Sequence, residues 1–269
     1  MKPSTVAEPG RARLSPRKKQ RIIRTVQYIV LAALLIGLGF YADWPNLAQN
    51  FAKLDVAQKT LPELFTIALT NTIIYTVGGF ILAFVFGLIF ALMRMSQVGI
   101  YRWIATIYIE IFRGLPALLV FILITFLPAA LPGFQIPGDV YGQGILGLGV
   151  IGAAYQAEVF RAGLQAVPPG QTEAARSLGM SASRALFTVV IPQAIRIVIP
   201  PTTNQFVFLL KDSSLVLFLG VSSQYVELAK FGNDLASQYS NATPLMVAGL
   251  TYLLVTIPLG YLARRLEKR

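Results

Sequence analysis

The chain has 269 residues, 55% of them hydrophobic and 13% charged, about half the charged share of a soluble domain. It has no cysteine and no histidine, which excludes thiol catalysis, disulfides, Cys/His metal sites and histidine proton relays. The net charge of +11 does not point to nucleic acid, because the Lys and Arg collect at the edges of apolar runs that approach or exceed the roughly 20 residues needed to cross a bilayer.

These runs predict an all-α membrane protein with about six transmembrane helices, near residues 26–41, 65–93, 103–131, 144–165, 194–210 and 244–262. Residues 1–25 read as a basic cytoplasmic tail, with RARLSPRKKQRIIR just before the first span, and 26–59 as an N-terminal span and an external loop. A basic tail before a short apolar run also fits a cleaved signal peptide. An uncleaved anchor is preferred, because losing the span would invert the sidedness that the other charges support.

The second span carries Gly79, Ala83, Gly87 and Ala91, and the fourth Gly149, Ala153 and Ala157, each four apart. Such stripes let helix backbones approach closely, either within one bundle or at a subunit interface. The third span opens with EIFRG (110–114) and the fourth closes with EVFRAG (158–163). Each places a Glu and an Arg three apart on one helix face, where they can pair. They read either as structural ion pairs or as a charged cluster at the inner mouth of a pathway. Arg113 is the pathway candidate, since a helix starting near Trp103 carries it about 15 Å inward.

Between the fourth and fifth spans lies QTEAARSLGMSASRALFTVVIP (171–192). Pro169 and Gly170 start a helix, Glu173 sits near its positive end, Gly179 stops it, and Ser181 or Ser183 caps a second helix that Pro192 ends. This helical hairpin either docks a partner or is a solvated loop. In the fifth span, Pro200 and Pro201 remove two backbone donors and are expected to break the helix, with Thr202, Thr203, Asn204 and Gln205 following at once. Broken helices with polar side chains line the binding sites of transporters, although a kink healed by the threonines is the alternative. Lys211 and Asp212 at the far end of that span form either an interfacial ion pair or an outer gate. With the N-terminus inside, all of the 23 Lys and Arg except Lys53, Lys59, Lys211 and Lys230 fall on the cytoplasmic side, as do both termini.

The hairpin resembles the EAA loop of the membrane subunits of ATP-binding-cassette importers: E-A-A, three residues, G, nine residues, I-x-L-P. Glu173-Ala174-Ala175, Gly179 and Val189-Val190-Ile191-Pro192 stand in that register, with Val and Ile in place of Ile and Leu. The flanks YIEIFRGLP, AAYQAEVFRAGLQAVPPGQ and IPPTTNQFVFLLKDSSL are similar to the polar amino acid permeases of the histidine, glutamate and glutamine type. The resemblance implies a five-helix type I importer core over residues 60–265, with its coupling loop at about 166–192 and one extra N-terminal helix. It further implies two identical or homologous permease subunits in the cytoplasmic membrane, a separate ATPase that binds ATP and Mg, and an extracytoplasmic amino-acid-binding protein. Glu173, Ala174, Ala175 and Gly179 are then the ATPase-coupling residues. Arg113, Thr202, Asn204 and Gln205 are expected in the pathway, and Lys211 and Asp212 at a gate or a contact with the binding protein. No G-x-x-x-x-G-K-[ST] phosphate loop occurs, so ATP hydrolysis and any cofactor are expected in a partner and not in this chain. The rivals are a secondary amino acid transporter working without an ATPase, a membrane enzyme and a scaffold.

Overall fold

The computed structural model describes residues 15–131 and 133–267. Every regular element among them is helical, and the chain divides into two compact units, Met1–Asn50 and Phe51–Arg269. In the first unit, α1 (Pro16–Tyr41) starts where the Ser15 hydroxyl accepts from the Lys18 amide and Pro16 takes the first helical position. The basic segment and the apolar segment therefore form one continuous helix, and none of its residues is buried. The indole N–H of Trp44 donates to the Gly39 carbonyl, and Asp43 accepts from the Asn46 amide to open α2 (Trp44–Phe51).

In the second unit, α3 (Leu54–Glu63) passes through a π-helical turn, Leu64–Leu69, into α4 (Thr70–Met95). Helices α5 (Gly99–Gly114) and α6 (Ala117–Ala130) lead to α7 (Asp139–Gln165). α4 and α7 lie side by side and run in the same direction: Gly79 faces Leu148, Ala83 faces Gly152 and Gly87 faces Gln156. A Cβ at Gly79 would come within 2.5 Å of the Leu148 Cβ, and one at Gly152 within 2.7 Å of the Ala83 Cβ. The small-residue stripes are thus explained by packing within one chain, where lipid supplies no hydrophobic force and close backbone contact must. Twelve of the 27 residues of α7 are buried, so this helix is solvated by protein more than by lipid.

The third expected span is not one helix. α5 and α6 meet at 110°, because Leu115 precedes Pro116 and adopts an extended conformation (φ −81°, ψ 141°) that proline favours in its predecessor. The fifth span departs from expectation in the opposite sense. α8 (Pro169–Ser177) and α9 (Ala182–Ala185) form the hairpin, and a π-helical turn, Leu186–Val190, then runs straight into α10 (Ile191–Asp212). Pro192 does not end a helix, because it follows the wide π turn at the first turn of α10, where its missing donor is tolerated. Pro200 and Pro201 do not break α10 either. Val198 packs on Gly163 and Leu209 on Gly152, so α7 holds α10 on both sides of the proline pair.

After α10, 3₁₀ turns at Ser213–Leu219 and Ser223–Tyr225 lead to α11 (Leu228–Tyr239) and α12 (Thr243–Glu267). The main core gathers Leu64, Tyr75, Phe121, Leu148, Leu209 and Leu228, and a smaller one holds Ala91, Ile109, Ala157, Phe160 and Val198. Among the described residues four helical runs are long and apolar enough to cross a membrane, or five if the bent α5–α6 pair is one span.

Candidate functional site

The parallel register of α4 and α7 puts Met95 and Gln165 at one end of the bundle, and the hairpin follows Gln165 there. α8 closes with a Schellman cap. The Met180 amide donates to the Ala175 carbonyl and the Gly179 amide to the Arg176 carbonyl. Both bonds need Gly179 in the left-handed region, where its φ is +83°. A Cβ there would meet nothing within 4 Å, so backbone conformation and not space requires glycine. Ser181 then caps α9, accepting from the Arg184 amide. Ala175 is buried towards the chain, while Glu173 and Ala174 are exposed. Gln193 of α10 donates to Gln171, tying the first arm of the hairpin to the long helix. Two large apolar side chains stand out, Leu178 at the turn of the hairpin with 81% exposure and Phe187 in the π-helical turn after α9 with 68%.

The charged cluster lies at the same end. Arg161 forks Glu158 at 2.7 and 3.1 Å and reaches Gln165, as the spacing in EVFRAG predicts. The matching pair in EIFRG does not form. Glu110 bonds instead to Arg94 at 3.4 Å, and Arg94 also pairs with Glu158, so one guanidinium at the end of α4 joins α5 to α7. The sequence marked Arg94 only as an orientation charge. Its bridging role depends on the α4–α7 register, which no local spacing encodes. Arg113 makes no ion pair among the described residues, and its guanidinium lies 5.7 Å from the centre of the Tyr155 ring.

Next to Arg113, a cavity of about 240 Å³ opens beside the α5–α6 bend, lined by Leu115, Tyr155, Gln205, Phe208 and Asp212. Of the expected pathway residues, Gln205 reaches it and Arg113 stacks on its wall; Asp212 joins them from the expected gate pair. Thr202 instead accepts from the side-chain amide of the fully buried Gln156 at 2.8 Å, and Asn204 is on the same helix but not in the lining. Lys211 forms no ion pair with Asp212 among the described residues; its ammonium sits 4.6 Å from the centre of the Phe208 ring. The break that borders the cavity is thus at Pro116 and not at Pro200-Pro201.

At the opposite end, a polar network pins the segment after α10. Asn71 donates to the carbonyls of Gln224 and Val226, Tyr141 donates to Asn71, and Tyr75 donates to the Tyr225 carbonyl. Glu227 is fully buried and accepts from the amides of Ala229 and Lys230 and from the Tyr252 hydroxyl. Burial pushes its carboxyl above the usual range, against the pull of those donors. Sequence reading missed this group; the only local signal is a Glu placed to cap a short helix.

Known proteins resemble the chain along most of its length. Residues 83–269 match the family described as "Binding-protein-dependent transport system inner membrane component". The probable glutamine ABC transporter permease protein GlnP of Bacillus subtilis is 37% identical over 70% of this chain and 85% of its own length. The arginine transport system permease protein ArtQ of the same organism is 30% identical over 78% of this chain and 94% of its own. A solved structure described as an amino acid ABC transporter with histidines aligns at a TM-score of 0.72 with 32% identity, covering 81% of this chain and 99% of that one. The family match spans the hairpin, the bent pair and the cavity alike. The chain belongs to the family of binding-protein-dependent transport system inner membrane components.

Proposed function

We propose that the chain is the permease subunit of an ATP-driven importer of polar amino acids, with residues 60–265 as its transport core and the loop at about 166–192 as its coupling element. The observation that carries this reading is the hairpin. Its Schellman-capped first helix leaves Glu173, Ala174 and Leu178 exposed, and such a helix suits a groove on a separate ATPase subunit. ATP and Mg belong to that subunit, which fits the lack of a phosphate loop here. Membership of a binding-protein-dependent family leaves the ATPase-independent transporter without support.

The same reading gives six spans, with both termini cytoplasmic in the inner membrane. α7 counts as a span despite its modest hydropathy, because its neighbours are other helices. A second permease, identical or homologous, completes the pathway, and an extracytoplasmic binding protein delivers the solute. The relatives' names include glutamine and arginine, so the cavity must address what those solutes share. Asp212 is the partner for an ammonium, and Gln205 with the guanidinium of Arg113 for a carboxylate. A volume of about 240 Å³ suits one small solute.

Co-purification tests the proposal. Tagged chain, expressed with the ATPase subunit encoded beside it, brings that subunit down. Glu173→Lys loses it and Gly179→Val retains less of it, while membrane levels of the chain stay normal. Undiminished recovery with both variants would remove the hairpin from the coupling role.

A further inference from the structure

The first two and a half turns of α1 carry five cations, Arg17, Lys18, Lys19, Arg21 and Arg24, and no carboxylate. At 3.6 residues per turn the three arginines fall within about 60° of one another, while the two lysines point away. Arg17 and Arg21 are four apart and Arg21 and Arg24 three apart, so like charges repel along one face. Cations in a first helical turn also oppose the helix dipole. None of the five makes an ion pair among the described residues, and all are exposed. Yet the arginine side chains converge on a cleft of about 220 Å³, shared with Gln20. An arrangement this costly in isolation suits an anion that occupies the cleft.

The rest of the stripe identifies the anion. The same helix face continues through Tyr28, Leu31 and Leu35, which are 69%, 53% and 61% exposed. Arg17 to Arg24 span about 10 Å along the axis, enough to cross the roughly 5–8 Å of one headgroup layer, and the apolar part begins directly after Arg24. Guanidinium forks grip phosphate oxygens in pairs, which lysine cannot do. We propose that this face of α1 binds an anionic phospholipid, with its phosphate held by Arg17, Arg21 and Arg24 and its acyl chains lying along Leu31 and Leu35. The long apolar continuation is what favours a lipid over free phosphate.

The test uses the full chain purified in micelles holding equal amounts of phosphatidylglycerol and phosphatidylcholine, with the retained lipids counted by mass spectrometry. The wild-type chain retains phosphatidylglycerol preferentially. Arg17→Gln/Arg21→Gln/Arg24→Gln lowers that preference by at least about tenfold, whereas Lys18→Gln/Lys19→Gln leaves most of it. The charge-preserving Arg17→Lys/Arg21→Lys/Arg24→Lys variant falls between, which separates the fork from net charge and covers any loss of fold in the first variant. Excess inorganic phosphate does not displace the lipid. The proposal is overturned if the arginine triple variant matches wild type, if the lysine pair variant loses as much, or if inorganic phosphate alone empties the site.

Discussion

Replacing Gly179 isolates the hairpin from everything else in the molecule. Its φ of +83° lies in the left-handed region, and a Cβ there would touch nothing, so a substitution acts only through the backbone. For alanine the left-handed conformation costs about 1–2 kcal/mol. The two cap bonds it holds in place are together worth about 1–3 kcal/mol, so alanine takes a large part of the cap's stability. The population with the capped turn formed then falls by about 5- to 30-fold if the turn is otherwise marginal. Asparagine tolerates this region and loses less; valine loses more. The assay is transport per ATP hydrolysed in proteoliposomes holding the complete complex, with the amount of inserted chain measured in parallel. Coupling should rank Gly179 above Asn, Asn above Ala, and Ala above Val, at constant insertion. Equal coupling in all four would refute the cap as the element that presents the docking face.

Four further outcomes follow from the packing and the charges. Gly79→Ala drives a Cβ to within 2.5 Å of the Leu148 Cβ and costs about 1–3 kcal/mol in detergent unfolding, whereas Gly37→Ala in α1, with nothing within 4 Å, leaves stability unchanged or raises it. Arg94→Gln removes the bridge from α4 to Glu110 and Glu158 and costs about 2 kcal/mol, less when Glu158 is also Gln; additive losses in the double variant would deny the bridge. The raised pKa of Glu227 means that the fold holds its proton more tightly than the unfolded chain does. Its stabilisation is full below the ordinary carboxylate pKa and is lost as pH rises through the raised value, so Glu227→Gln should flatten the fall of the unfolding midpoint above roughly pH 4–5. Asp212→Asn weakens the site for a solute ammonium and lowers uptake at limiting solute, with the binding protein's own affinity unchanged; unaltered uptake would take Asp212 out of the pathway.

Local chemistry was readable in the sequence and long-range register was not. The hairpin followed from Pro169, Gly179 and Ser181, because a cap is decided within about four residues of itself. The small-residue stripes announced a close helix contact but not its partner, which only the fold supplies. The bend was expected at Pro200-Pro201, where two prolines stand together, and was found at Pro116. A proline pair in a helix clamped on both sides by α7 does not break it, whereas a glycine and an extended Leu115 before a single proline leave nothing to clamp. The same limit explains Arg94. Two similar Glu/Arg motifs behave differently although Arg94 of a third helix reaches both: Glu158 keeps Arg161 as well, whereas Glu110 pairs with Arg94 and not with Arg113.

In the proposed function, movement of solute is driven through the hairpin by a separate nucleotide-hydrolysing subunit. Uptake of radiolabelled glutamine and arginine into proteoliposomes tests this most directly, comparing the chain alone with the chain plus its ATPase, its binding protein and ATP. Accumulation is expected only in the complete mixture, and none with a non-hydrolysable nucleotide. Accumulation by the chain alone, driven by an ion gradient, would contradict it.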